Sequence, residues 1–288
     1  MKLALGTVQF GTDYGAFNAE GRVDEAMVVA CLDRAQARGI DLLDTARAYG
    51  ESEAVLGRLD AASRFRIVTK VPGLGGAGAD GIARSIEASL AALRTDRVHA
   101  VLLHDAADLT GAGADPIWRR LEALVEGGVA GKVGVSVYDP GQALALAARY
   151  PLGIVQAPYS AFDQRMRMEG AFSALVETRV EIHARSIFLQ GFALADPGAL
   201  PPHLCAHRHA LEGFRVLAES HGLTPLQLAL AAAEREPAIA RIVVGVQSLA
   251  NLDEILDAAG LDLPIPDLAE CASDAAALIN PSLWHKAA

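Results

Sequence analysis

Four side chains suited to acid–base chemistry occur within the first 104 residues. Asp44 and Tyr49 belong to DTARAYG, directly after the apolar residues IDLL. Lys70 ends the segment FRIVTK, and His104 ends VHAVLLH. Asp44, Lys70 and His104 are 26 and 34 residues apart, about one strand–helix unit each. One such residue alone is usually a helix cap or a solvated loop residue, but four at one end of a parallel sheet indicate a site.

The chemistry of this group is that of a carbonyl and its alcohol. The phenol of Tyr49 has an ordinary pKa of about 10, so it can donate a proton to a developing alkoxide. The ammonium of Lys70 is expected to lower that pKa, which lets Tyr49 act as a base in the reverse direction. Asp44 would hold Lys70 in an ion pair, and His104 would orient the substrate oxygen. The reaction also needs a hydride source, which a cofactor supplies.

Short apolar segments alternate with helical patterns along the whole chain. We count eight such segments: LALGTV, IDLLDT, FRIVTK, VHAVLLH, KVGVSV, GIVQAP, VEIHARS and ARIVVG. Helical spacing occurs between them, for example at 24–39, 80–94, 118–128 and 208–222. This alternation predicts parallel strands and an α/β fold, a (β/α)8 TIM barrel forming a single domain over residues 1–288.

An open doubly wound sheet is the alternative fold. Such sheets usually carry GxGxxG after the first strand, and this chain has no such motif there. The glycine-rich stretch GLGGAGADG (73–81) lacks that spacing and is interpreted as a flexible loop.

Composition limits the range of partners. The chain has 288 residues, a net charge of −10 and a pI near 5.3, which argue against nucleic acid and acidic membranes as partners. Three cysteines without framework spacing are typical of a reducing compartment. Neither a signal peptide nor an apolar run of about 20 residues is evident. We therefore expect a cytoplasmic protein that binds a small molecule; its oligomeric state stays open.

The motifs GTVQFG (6–11), DTARAYG, VTK and LLH resemble those of the aldo-keto reductase family, in the same order and over nearly the full chain. The resemblance implies a (β/α)8 barrel in which Asp44, Tyr49, Lys70 and His104 are the catalytic residues. It also implies that NADP(H), less often NAD(H), is the cofactor and that no metal is used.

The same resemblance implies where the cofactor binds. GKVGVSVY and IVQAPYS place Ser136 and Gln156 at the nicotinamide carboxamide, although Val137 stands where the family usually has Asn. In HARSIFLQG, Arg185 occupies the position of a stacking tyrosine; its guanidinium can also stack or reach a phosphate. The implied cofactor-binding residues are Gly6, Thr7, Asp44, Ser136, Gln156, Arg185, Ser186, Leu189, Gln190, Gly245, Gln247, Ser248, Asn251 and Glu254. Residues 245–251 contain no Lys or Arg, so we expect only a modest preference for NADP(H).

The expected substrate is an aldehyde or ketone, such as a sugar or a sugar-derived carbonyl. Loops 105–116 and 192–206 are expected to form the pocket rim. The candidate aromatic lining residues are Phe10, Tyr14, Trp118, Phe188 and Phe192. The hairpin that often precedes the first strand in this family is missing, so the C-terminal segment is expected to close the barrel floor.

Two alternative functions and one alternative site stay open. A protein on the same fold can hold the cofactor for regulation with little turnover, and a barrel lyase or isomerase would need no nicotinamide. HLCAHRH (203–209) contains His and Cys, but its spacing is not that of a structural zinc site. We interpret it as part of the loop after the seventh strand.

Overall fold

The computed structural model describes residues 1–18, 20–111 and 113–286. Eight parallel strands form a closed barrel in sequence order, with β8 hydrogen-bonded to β1. This confirms the predicted (β/α)8 barrel, and each predicted apolar segment overlaps one strand. The strands are β1 (Leu3–Gly6), β2 (Leu42–Asp44), β3 (Arg66–Val71), β4 (Val98–Leu103), β5 (Ala130–Ser136), β6 (Ile154–Pro158), β7 (Glu181–Arg185) and β8 (Arg241–Gly245).

Helices follow the strands and cover the outside of the barrel. The four helical patterns named from the sequence correspond to α1, α3, α4 and α8. The α-helices are α1 (Glu25–Ala37), α2 (Ser52–Arg58), α3 (Gly78–Leu93), α4 (Ala114–Glu126), α5 (Pro140–Arg149), α6 (Arg165–Met168), α7 (Ala171–Glu177), α8 (Arg208–Ser220), α9 (Pro225–Glu234), α10 (Leu249–Ala258) and α11 (Ala276–Ile279). Residues 78–81 open α3, so the interpretation of 73–81 as a loop was wrong for its second half.

Side-chain alternation along the strands decides what faces the barrel interior. The inner apolar cluster contains Ala4, Leu42, Val68, Ala100, Leu102 and Ile154. Neighbouring positions such as Leu3, Leu5, Leu43 and Val101 pack outward against the helices. Successive side chains of a strand point to opposite faces. Residues two positions after an inward residue therefore face inward one layer higher, and Asp44, Lys70, His104 and Gln156 all occupy such positions.

The opposite end of the barrel is filled by charged side chains. Glu181, the first residue of β7, accepts hydrogen bonds from Lys132 and from His183 Nε2. His99 Nε2 lies 3.7 Å from the same carboxylate. The hydrogen bond from His183 and the nearby imidazole of His99 keep the pKa of Glu181 below its ordinary value, although burial opposes this shift.

The C-terminal segment lies at the other end of the barrel from this cluster. Pro281 and Ser282 line the same cavity as Tyr49. Trp284 packs in a second apolar cluster with Phe162, Phe192 and Phe214. The expectation that the C-terminal segment closes the barrel floor was therefore wrong. This segment and the loop after β7 instead share an apolar support beside the cavity.

Candidate active site

A buried chain of hydrogen bonds at the C-terminal ends of β2, β3 and β6 joins three predicted catalytic residues, Asp44, Lys70 and Tyr49, to Gln156. Lys70 Nζ donates to Asp44 Oδ1 and to the carbonyl oxygen of Thr45, the latter at 3.0 Å. The same nitrogen lies 3.4 Å from the Tyr49 hydroxyl. On the other side, Gln156 Nε2 donates to Asp44 Oδ2 at 2.7 Å. The Asp44 carboxylate thus holds the side chains of both Lys70 and Gln156 in place.

Burial and charge act together on the protonation of Lys70 and Tyr49. Burial lowers the pKa of Lys70, but the Asp44 carboxylate and the Tyr49 phenol together outweigh it, so the pKa lies above its ordinary value. Burial raises the pKa of Tyr49; Lys70 lowers it and Asp44 raises it, and the net pKa lies above the ordinary value. Lys70 therefore acts in the predicted direction, but the expectation of a lowered phenol pKa was wrong. Burial dominates, so Tyr49 is a protonated donor at neutral pH.

His104 completes the group from the end of β4. Its ring meets the ring of Tyr49 edge-on, with the centroids 5.8 Å apart. Burial and the positive charge of Lys70 lower the pKa of His104 to about 4. The imidazole is therefore neutral at pH 7 and has one N–H donor, on a ring that lies next to the ring of Tyr49.

The Tyr49 loop is held by close backbone contacts. Gly50 has a φ of +55°, a region that favours glycine. A Cβ on Gly11 would lie 1.9 Å from the carbonyl oxygen of Tyr49 and 2.3 Å from the amide nitrogen of Ser52. Only a glycine at position 11 allows this approach. Both glycines therefore serve to place Tyr49 between the loops after β1 and β2.

A hydroxyl network underneath fixes the same two loops. Ser52 Oγ donates to the carbonyl oxygen of Thr7 at 2.9 Å and also contacts Thr7 Oγ1 at 2.7 Å. Thr7 Oγ1 donates to the carbonyl oxygen of Asp44 at 3.1 Å, and Thr45 Oγ1 lies 3.1 Å from Ser52 Oγ. Thr7, which the resemblance assigned to the cofactor, thus also supports the backbone beside Asp44.

These residues open onto a cavity of about 560 Å³ at the C-terminal end of the barrel. Most of the predicted site residues lie on its wall: Gly6, Thr7, Asp44, Tyr49, His104, Ser136, Gln156, Arg185, Ser186, Gln190, Gly245, Gln247, Asn251 and Glu254. Ser136 and Gln156 are register partners on β5 and β6, so their side chains lie side by side. The structure therefore brings together the proposed catalytic and cofactor residues in one cleft.

Three predicted site residues are absent from the cavity wall. Lys70 is fully buried, and its Nζ lies 3.4 Å from the Tyr49 hydroxyl. Leu189 is fully buried in the second apolar cluster, because its side chain anchors the loop after β7. Ser248 caps α10 by accepting a hydrogen bond from the amide of Asn251 at 3.2 Å. The Leu189 and Ser248 side chains therefore do not face the cavity, and the role of these two residues toward a cofactor stays a prediction.

The loop after β7 has an unusual backbone where it borders the cavity. Ser186, Leu189 and Gln190 have φ values of 63°, 45° and 53°, and Gly191 follows at 101°. Non-glycine residues in this region are uncommon and concentrate at functional sites. Gln190 also links the loop to the opposite rim, since its side chain donates to the Tyr14 hydroxyl at 2.9 Å and accepts from the amide of Ala16 at 3.2 Å.

The sequence analysis missed Gln9 as a site residue. It is only 8% exposed and lies on the cavity wall, and its Oε1 has no hydrogen-bond partner among the described residues. A Cβ on Gly245 would lie 2.7 Å from this oxygen, so Gly245 leaves room for the amide. The signal was a lone amide within GTVQFG, next to the expected cofactor residues Gly6 and Thr7.

The predicted rim is only partly correct. Tyr14 and Phe188 lie on the cavity wall, as do Leu194 and Ala195 of the loop 192–206. Phe10, Phe192 and Trp118 instead lie in apolar clusters. Of the described residues of 105–116, none lines the cavity. The side chains of Phe10, Phe192 and Trp118 point away from the cavity into the packing around the barrel.

The segment 203–209 covers most of a short 3-10 turn, Pro202–His207, and the first residues of α8. The ring of His203 lies 6.0 Å from that of Trp284. No group of three or more His, Cys, Asp or Glu residues in the described ranges is placed to hold a metal ion. Within the same ranges, the structure has no helix with the length and apolar character of a membrane span.

A parallel barrel with Asp, Tyr, Lys and His at its C-terminal end is the arrangement expected of an aldo-keto reductase. The comparisons with known proteins agree with this expectation. Residues 2–275 match the model of the aldo/keto reductase family. The chain therefore belongs to the aldo/keto reductase family.

Solved structures give the same result. A Pseudomonas aeruginosa protein described as an aldo-keto reductase is 25% identical with a TM-score of 0.69, over 90% of this chain and 89% of that one. The aldo-keto reductase AKR11C1 from Bacillus halodurans, in its holo form, has a TM-score of 0.76 over 94% and 92% of the two chains. At 20% identity, that likeness shows the fold alone.

A curated relative matches over a shorter region. The oxidoreductase sirO from Leptosphaeria maculans is 36% identical over 110 residues, which are 35% of this chain and 32% of sirO. The match thus spans about a third of the length of that relative.

Proposed function

We propose that this chain is a nicotinamide-dependent oxidoreductase that reduces an aldehyde or ketone to the alcohol, or catalyses the reverse reaction. The observation that carries the proposal is the buried chain Asp44–Lys70–Tyr49, which ends in a phenol on the cavity wall. A nicotinamide cofactor supplies the hydride when it is bound. The residues of the chain handle the proton and orient the substrate.

In the reducing direction, Tyr49 donates its proton to the substrate oxygen as negative charge develops there. Lys70 stabilises the phenolate that remains, because its ammonium lies 3.4 Å from the phenol oxygen. Asp44 keeps Lys70 charged, and the neutral His104 can donate a hydrogen bond to the same substrate oxygen. In the oxidising direction the phenolate of Tyr49 accepts the proton of the alcohol.

The cavity wall fits a nicotinamide cofactor. Ser136 and Gln156 supply polar atoms for the carboxamide, and the unpartnered Oε1 of Gln9 can accept a hydrogen bond from a ribose hydroxyl. At the end formed by α10, Gln247 and Asn251 offer amide groups, while Glu254 carries a negative charge. The roles of all these residues toward the cofactor are part of the proposal.

The wall supports the use of both NADP(H) and NAD(H), with little discrimination. Arg185, at the end of β7, is the only Lys or Arg among the described wall residues. Arg241 lies at the start of β8, where it pairs with Asp41 and donates to the Met1 carbonyl oxygen. Discrimination by a charged contact is worth roughly 10- to 100-fold in affinity. We therefore expect dissociation constants for NADPH and NADH that differ by less than about 100-fold.

The test combines binding with turnover. Dissociation constants for NADPH and NADH are measured by fluorescence titration at fixed salt, and a panel of aldehydes is followed by loss of reduced-cofactor absorbance. Cofactor binding together with aldehyde reduction supports the proposal. Binding without turnover of any carbonyl or alcohol would instead favour a regulatory cofactor-binding protein. Absence of binding would contradict the proposal and leave a lyase or isomerase that needs no nicotinamide.

A further inference from the structure

Arg185 projects into the reacting end of the cavity in a fixed position. Its Nη2 donates to the carbonyl oxygen of Val137 at 3.0 Å, and its Nη1 lies 3.3 Å from Ser186 Oγ. The guanidinium carbon lies 4.0 Å from the centre of the Tyr138 ring, so the group is held against that ring. A guanidinium has five N–H donors. These contacts therefore leave donors of Arg185 for a ligand.

The charge of Arg185 is not balanced by a nearby carboxylate. Among the described residues, no Asp or Glu forms an ion pair with it, whereas Lys70 pairs with Asp44. Tyr14 and His104 are neutral at pH 7, because burial raises the pKa of Tyr14 to about 12 and lowers that of His104 to about 4. The positive charge of Arg185 is also close enough to lower the pKa of Tyr49. The reacting end of the cavity therefore carries excess positive charge.

The other carboxylate on the wall does not change this balance. Glu254 belongs to α10, beyond β8, and is exposed. Arg185 is among the main charges that shift the pKa values of Tyr14, Tyr49 and His104, and Glu254 is not. An unpaired guanidinium in a concave, partly dry site attracts an anion strongly.

We propose that the substrate carries an anionic group, a carboxylate or a phosphate, on the same molecule as its carbonyl, and that Arg185 binds this group. The proposal rests on the proposed oxidoreductase function and names its substrate class. Arg185 then determines specificity: its fork holds the anion while Tyr49 and His104 address the carbonyl oxygen. The contact adds a charge-assisted hydrogen bond that a neutral substrate lacks, worth roughly 10- to 100-fold.

Two matched pairs of aldehydes test the proposal and distinguish the two anions. One pair is 4-carboxybenzaldehyde and its neutral amide 4-formylbenzamide; the other is glyceraldehyde 3-phosphate and glyceraldehyde. For each pair, the ratio of kcat/KM for the charged and neutral members is measured in the wild type. At least one ratio is expected to reach about 10 to 100, and the pair that reaches it identifies the anion. Ratios near one in both pairs would overturn the proposal.

The variants Arg185→Gln and Arg185→Lys then test whether Arg185 causes the difference in kcat/KM between charged and neutral substrates. A ratio within one variant cancels any change in cofactor binding, which affects both substrates alike. We expect the ratio to fall to near one in Arg185→Gln and to be partly kept in Arg185→Lys. Arg149→Gln is the control, since it removes the same charge from a surface ion pair with Asp115 and should keep the wild-type ratio. A full ratio in Arg185→Gln, with only cofactor binding weakened, would assign Arg185 to the cofactor and overturn the proposal.

A binding measurement keeps the proposal separate from the proposed function. If no aldehyde is turned over, the proposed function fails, and calorimetric titration of the chain with 4-carboxybenzaldehyde, its amide, glyceraldehyde 3-phosphate and glyceraldehyde still tests the anion site. In at least one pair the anionic member should bind about 10- to 100-fold more tightly, and Arg185→Gln should abolish the difference. Equal binding within both pairs, or a difference that persists in Arg185→Gln, would overturn the proposal.

Discussion

Replacing Lys70 by Met should raise the apparent pKa of the proton-transfer step, and the structure gives the size of the effect. The ammonium lies 3.4 Å from the Tyr49 oxygen. At an effective dielectric constant of about 20, two unit charges at that distance interact by about 5 kcal/mol, or about 3.5 pKa units. Loss of Lys70 therefore removes most of the stabilisation of the phenolate.

A second variant separates the two charges that act on Tyr49. Lys70→Met leaves Asp44 as an unpaired buried carboxylate, which raises the phenol pKa further and costs roughly 3–5 kcal/mol of stability. Lys70→Met combined with Asp44→Asn removes both charges. The phenol pKa should therefore be lowest in the wild type, intermediate in the double variant and highest in Lys70→Met.

The assay is the pH dependence of alcohol oxidation at saturating cofactor, for all three proteins. We expect the wild-type rate to rise with pH toward a plateau, and the Lys70→Met rate to keep rising through the highest pH at which the protein is folded. Circular dichroism at each pH controls for unfolding. Identical apparent pKa values in the three proteins would refute the electrostatic role of Lys70.

Three further predictions concern stability and loop packing. His104 has a folded pKa of about 4, below its unfolded value near 6.5, so the stability it contributes is lost as pH falls through this window. Urea unfolding should show a loss of stability of about 2 kcal/mol between pH 6.5 and 5, and His104→Gln should remove that loss. Glu181→Gln should lower stability by roughly 2 kcal/mol without changing kcat, because the ion cluster lies at the opposite end of the barrel; a change in kcat with unchanged thermal unfolding would contradict this placement. Gly11→Ala should lose turnover and roughly 1–3 kcal/mol of stability, because its Cβ would collide with the Tyr49 backbone, whereas Gly213→Ala, with open space around it, should lose neither.

The positions of the proposed catalytic side chains were predictable because strand alternation fixes them. Once Leu42, Val68 and Leu102 are assigned inward, the residue two positions later must face inward at the end of its strand. The polar residues at these positions are Asp44, Lys70 and His104, so local patterning alone places them together. The resemblance to the family then added the proposed roles and most of the residues of the proposed cofactor cleft.

The side-chain directions and the burial that the sequence could not predict depend on long-range packing. Phe192 and Leu189 follow β7 and are as apolar as Phe188, but only the packing against Phe162 and Phe214 shows which of them turn away from the cavity. The predicted direction of the Tyr49 pKa shift was wrong for a related reason. It depends on how deeply the surrounding chain buries the phenol, and spacing carries no information about burial.

The single-turnover rate of carbonyl reduction in Tyr49→Phe tests the central claim most directly, because it isolates proton donation from binding and product release. The substitution removes only the hydroxyl, because the phenyl ring keeps the edge contact with His104. We expect the rate to fall by roughly 100- to 10,000-fold, with the cofactor dissociation constant within a few-fold of wild type. A single-turnover rate above half of the wild-type value, with chemistry rate-limiting in both proteins, would contradict the assignment of Tyr49 as the acid.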